Sequence, residues 1–127
     1  MRQEKWHAGS NSEFGSAWRV GDVVGFALDM RTAGDAAMSV SVNGSFASPN
    51  GLAFSGIDAP FLSPALSGIG GRHRVNFGDR PFAHAPPGTE FMSVHEFWQL
   101  QRVDGQDEGL RLASTDCTGS SSPPPAP

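Results

Sequence analysis

Residues 20–46 read VGDVVGFALDMRTAGDAAMSVSVNGSF, and they decide the fold. In the first part Val24, Phe26, Leu28 and Met30 fall on one face, while Gly25, Ala27 and Asp29 fall on the other. In the second part Met38, Val40 and Val42 alternate with Ser39, Ser41 and Asn43. A period of two is that of strands that bury one face and wet the other. A Gly34-Asp35 turn joins the runs, and Asn43-Gly44 supplies the positive backbone angles of a tight hairpin. The expectation is antiparallel sheet at about 22–30 and 37–43, with Val24, Phe26, Leu28 and Met30 buried against a second layer. No catalytic residue is fixed by this pattern, which points to a binding module rather than an enzyme.

At 127 residues and 13.4 kDa the chain suits one small domain. Hydrophobic residues are 38% of it, and Gly with Pro makes up about a fifth, so loops are extensive. Nine Phe and three Trp, with no Tyr, supply the largest surfaces for a core. The net charge is −4, and the basic residues are scattered rather than gathered on one surface as in a nucleic-acid binder. Anionic membrane surfaces are disfavoured for the same reason. One cysteine, Cys117, builds neither a disulfide framework nor a cysteine metal site and favours a reducing compartment. Met1-Arg2-Gln3-Glu4-Lys5 leads into polar sequence rather than an apolar run, and no apolar stretch is long enough to span a bilayer. The expectation is a soluble cytoplasmic protein with no signal peptide and no membrane insertion by this segment.

Outside the central runs, residues 1–19 read as a loop with aromatic anchors Trp6, Phe14 and Trp18, ending in a short edge segment. Residues 45–62 are a turn-rich connection in which Leu52, Ala53 and Phe54 pair as a short strand. Two further strands are expected: 61–67, interrupted at Pro64, and 72–77, with His73, Val75 and Phe77 on one face. Residues 90–103 carry two signals. Ser93 and Glu96 have capping-box spacing with Val94, Phe97, Trp98 and Gln101 on a helical face, yet 90–94 also suits a closing strand. The preferred expectation is a strand followed by a short helical turn. Residues 104–127 have too little apolar content to offset ordering entropy, which marks a disordered Ser/Pro-rich tail.

Motifs of catalysis do not assemble. His7, His73, His84 and His95 lack short metal-ligand spacing, no Gly-x-Ser-x-Gly elbow is present, and no cofactor is implied. Gly68-Ile69-Gly70-Gly71 precedes a strand rather than a helix, so it is a turn and not a phosphate loop. Asp22 is expected to accept hydrogen bonds from turn backbone, and Trp18 and Phe77 to be core.

Trp18, Gly21-Asp22-Val23-Val24-Gly25, Leu28-Asp29-Met30, the alternating strand into Asn43-Gly44, Pro64-Ala65-Leu66-Ser67 and Val75-Asn76-Phe77-Gly78 together resemble the SPRY domain, also called B30.2. They occur in the family's order over about residues 5–95. Trp6-His7-Ala8-Gly9-Ser10, Phe14-Gly15 and Leu52-Ala53-Phe54 are similar to the SPRY repeats of ryanodine receptors. The resemblance implies an all-β, concanavalin-like antiparallel β-sandwich over residues 1–103 that lacks the family's N-terminal strands. It is therefore read as a fragment of a larger intracellular protein, such as a channel or a ubiquitin-ligase substrate receptor, or as a sandwich completed by another chain. Open strand edges then invite self-association.

The resemblance further implies a non-catalytic role, in which rim loops bind a partner protein or peptide. The rim segments are 31–36, 44–51, 55–60 and 68–72, and the candidate contacts are Trp6, Arg31, Phe46, Asn50 and Arg72. Each has a plainer reading as well: Trp6 and Phe46 as partly buried anchors, Arg31 and Arg72 as solvated charges. The alternative function is a lectin-like sandwich, although no acidic cluster suited to calcium-dependent sugar binding stands out.

Overall fold

The computed structural model describes residues 3–88 and 90–103; the expected tail at 104–127 lies outside the described residues. The chain forms two compact units, one within Met1–Arg74 and Phe82–Phe91, the other within Val75–Pro81 and Met92–Pro127. The first holds five strands: β1 (Glu4–His7), β2 (Ser10–Glu13), β3 (Val24–Asp29), β4 (Ala36–Val42) and β5 (Gly51–Ile57). β1 and β2 make a two-stranded sheet, and β3-β4-β5 a three-stranded one, antiparallel throughout. The described chain is therefore mainly β, as the two-residue period requires.

The two central runs form the strands expected of them, with Val24 opposite Val42, Phe26 opposite Val40 and Leu28 opposite Met38. Directly opposed residues share a face, so the large apolar side chains of both strands line one side of the sheet. Asn43 and Gly44 both have positive φ, 49° and 83°, and Val42 and Ser45 exchange backbone hydrogen bonds of 3.2 and 3.0 Å across them. That is the tight hairpin turn the dipeptide specifies. Asn43 also anchors the preceding loop: its Oδ1 accepts from Val23 N at 2.9 Å, and its Nδ2 donates to Asp22 Oδ1 at 2.9 Å. Asp22 Oδ2 accepts from Arg19 N at 2.8 Å, which is the turn-backbone role expected of it. These bonds favour the ionised carboxyl and lower its pKa, the Asn43 bond contributing most. Strand β5 extends well beyond Leu52-Ala53-Phe54, and its ladder with β4 is interrupted by two register shifts.

Four expectations about elements differ from the structure. The N-terminal segment is a hairpin rather than a loop, with Ala8 and Gly9 (φ 49° and 79°) at its turn. Its strands lack apolar alternation because β2 is exposed on both faces, which removes the usual signal. Segments 61–67 and 72–77 form no strand: among the described residues no strand pairs with them, Pro64 withholds a donor, and the Phe77 carbonyl accepts instead from His95 N at 2.9 Å. Residues 90–94 form no strand either. A helix, α1 (Val94–Val103), forms instead in the second unit. Its start is a complete capping box: Glu96 N donates to Ser93 Oγ at 3.0 Å, and Ser93 N to Glu96 Oε2 at 2.8 Å. Gly78 passes so close to Ser93 that any Cβ there would overlap the Ser93 side chain at 2.2 Å.

The largest departure concerns burial. Phe26 is 66% exposed, and Leu28 and Met30 are 37% exposed. Trp18 and Phe77, expected in the core, are 47% and 45% exposed. Among the described residues the buried apolar side chains are Ala36, Val40 and Ala53. Alternation states which side chains share a face; it does not supply the second layer, about 10 Å away, that would cover that face.

Replacing Asn43 with Ala removes both side-chain hydrogen bonds and leaves a Cβ residue in left-handed backbone without local compensation. The urea midpoint should fall by the equivalent of about 2 kcal/mol. Asn43→Gly, which keeps the backbone freedom and loses only the bonds, should cost visibly less.

Candidate functional site

The antiparallel order sorts the loops to two ends of the three-stranded sheet. The loop from Met30 to Asp35 and the exit from β5 lie at one end, tied by a 3.1 Å bond from Gly56 N to Asp35 Oδ1. The loop from Asn43 to Asn50 lies at the other. β4 runs seven residues between them, about 20 Å at the usual strand rise. The rim segments 31–36 and 55–60 therefore belong together, and 44–51 stands apart from them.

At the first end, Asp29 closes β3 and Arg31 folds back upon it. Arg31 N donates to Asp29 Oδ1 at 3.0 Å, its Nε to the same oxygen at 3.0 Å, and its Nη2 to Oδ2 at 2.6 Å. This two-point clamp by guanidinium and backbone holds the Asp29 carboxyl down at about 2. Arg31 Nη1 also lies 3.7 Å from Glu90 Oε2. Leu28, Met30 and Phe91, all partly exposed, line a shallow recess together with Asp29, Arg31 and Glu90. An exposed apolar rim about an oriented guanidinium can hold a peptide by apolar contact and by hydrogen bonds to its carbonyls or carboxylates.

The other sequence-derived candidates are placed differently. Asn50 is a loop latch: its Oδ1 accepts from Ser16 N at 3.0 Å and Ser16 Oγ at 3.2 Å, and its Nδ2 donates to Ser45 O at 3.4 Å. Phe46 is half-buried in the same loop. Trp6 stands exposed on β1, opposite Asn11. Arg72 lies in an exposed segment without strand or helix. So Phe46 and Asn50 are brought together, and Arg31 is at the far end of the sheet from them.

One cluster has no sequence signal. Lys5 Nζ donates to Ala53 O and lies 5.4 Å from the ring centroids of both Phe14 and Phe54. The His7 and Phe54 rings are 5.8 Å apart. These contacts seat the N-terminal hairpin on β5 through an ammonium shared by two rings. The contacts with Ala53 and Phe54 join residues far apart in the chain (48 positions for Lys5 and Ala53), a distance over which local patterns carry no information.

Among the described residues, no three His, Cys, Asp or Glu side chains gather as a metal site, and no helix is long and apolar enough to cross a membrane. No protein-family model, curated protein or solved structure matches the chain.

Removing the clamp should be directly visible. In Arg31→Gln the Asp29 carboxyl should rise from about 2 toward its ordinary 3.8, followed by carboxyl NMR titration. Because the folded value lies below the unfolded one, the pair's stabilisation is complete above pH 3.8 and is lost as pH falls through about 2.

Proposed function

We propose that this chain is a non-catalytic protein–protein interaction module of the SPRY/B30.2 kind. Its three-stranded sheet is one layer of a β-sandwich, and its loops hold a partner protein or an extended peptide. The binding end is the one at Arg31 rather than the one at Asn50. What supports this most is the recess itself, where exposed Leu28, Met30 and Phe91 frame an oriented guanidinium. Aromatic, aliphatic and Arg side chains in one patch are the usual carriers of interface energy. Asn50 spends its amide on holding its own loop and has little left for a partner.

The SPRY-like order of motifs agrees with that role, since sheet scaffolds leave loops free to vary. The apolar face bearing Phe26 and Leu28 is a natural seat for a second layer.

Selection of peptides from a displayed library against the whole chain, followed by calorimetry of the selected sequences, tests the assignment. Arg31→Glu should weaken binding at least tenfold, whereas Asn50→Ala should lower stability and leave affinity unchanged. Equal binding by Arg31→Glu would discard the assignment. Displacement of the selected peptides by free sugar would favour the lectin-like alternative instead.

A further inference from the structure

The three-stranded sheet has two edges, and the chain treats them differently. On β5, Lys5 Nζ occupies the Ala53 carbonyl, Asp35 takes Gly56 N, and two register shifts bend the ladder. Charged groups and bulges of this kind block further strand pairing. β3 has none of them. Its ladder with β4 is regular over all six residues, and its sequence, VGFALD, contains neither Lys nor Pro. The one charge, Asp29, is neutralised by Arg31.

The hydrogen-bond pattern identifies which backbone groups this edge offers. Val42 exchanges its bonds with Ser45, away from β3, while Asn43 N donates to Val23 O at 2.8 Å. Bonded and non-bonded pairs alternate along an antiparallel ladder. Val23, Gly25, Ala27 and Asp29 therefore direct their backbone groups at β4, and Val24, Phe26 and Leu28 direct theirs off the open edge. Among the described residues, no backbone hydrogen bond from another segment meets those three.

We propose that this edge pairs with a second copy of the chain, β3 against β3, antiparallel about a two-fold axis at Phe26. A symmetric antiparallel pairing requires outward-facing residues to meet outward-facing residues, and an axis at Phe26 satisfies this. It sets Phe26 opposite the partner's Phe26, Leu28 opposite the partner's Val24, and Ala27 opposite the partner's Gly25. Large apolar side chains then meet on one face and small ones on the other, so the strand is complementary to itself. The result is one continuous sheet in which the exposed Phe26 side chains cover each other.

This pairing does not rest on the proposed peptide binding, and it is tested on the whole chain under reducing conditions. Sedimentation equilibrium should show a monomer–dimer equilibrium. With rising concentration, amide exchange should slow at Val24, Phe26 and Leu28, while Gly25 and Ala27 stay protected throughout. Phe26→Lys, at a site already exposed, should weaken dimerisation at least tenfold, and Leu52→Lys on β5 should leave it intact. A monomer at every concentration would overturn the proposal. So would a dimer whose Val24, Phe26 and Leu28 amides keep exchanging fast, or one that Leu52→Lys dissociates as readily as Phe26→Lys. The exchange measurement uses the unaltered chain, so it decides the matter even if a variant fails to fold.

Discussion

The side chain of Asn43 is the fastening on which the central sheet depends. A strand pair can slide, and a slip of one residue would exchange its two faces completely. Asn43 opposes this from both directions. Its left-handed backbone sets the turn that starts the ladder back from β4, and its amide grips Val23 and Asp22 on the chain entering β3. Asp22 is in turn tied to Arg19. The turn and the loop beside it thus form one hydrogen-bonded block. From that block outward, every residue of β3 and β4 has its face assigned, and Phe26 must point to the same side as Val40 and Leu28 to the same side as Met38.

The fixed register has an energetic consequence. Fully burying a Phe or Leu side chain stabilises by about 1.5–3 kcal/mol, and net stabilities of folded domains are only about 5–15 kcal/mol. Phe26, Leu28 and Met30 gain only part of that while they stay partly in water. Among the described residues the buried apolar side chains, Ala36, Val40 and Ala53, are too small to make up the difference. A sheet held in register by polar bonds, with its apolar face uncovered, gains stability from whatever covers it. Any surface that covered that face would add the burial these side chains lack.

What could be read from the residues follows the range of each interaction. The alternation of β3 and β4, the Asn43-Gly44 turn and the Ser93–Glu96 capping spacing are local patterns and legible as such, although at 90–94 the competing strand pattern was preferred to the helix that forms. The N-terminal hairpin escaped because both faces of β2 meet solvent and its turn uses Ala8, which turn rules do not flag. The strands expected at 61–67 and 72–77 show the opposite error: apolar content in the first and alternation in the second suggested strands, but among the described residues no partner strand meets them. Burial was the least legible property, since Phe26 and Val40 share a face of one sheet yet differ greatly in exposure. At the site, Arg31 was recognisable as a residue type. Its clamp on Asp29 follows from a spacing of two at the end of a strand, but its distance from Asn50 follows only from the strand order.

Arg31 also links the edge of the sheet to its end. A guanidinium carries five N–H donors. Asp29 takes one from Nε and one from Nη2, and Glu90 stands at 3.7 Å from Nη1 without a close bond. The carboxylate that fixes the guanidinium is meanwhile removed as a charge from the edge of β3. A Lys at position 31 could neutralise Asp29 as well, but as a point charge it could not grip both carboxylate oxygens and keep a fixed orientation. The same bidentate contact therefore offsets the one charge of the β3 edge and fixes the guanidinium at the strand's end.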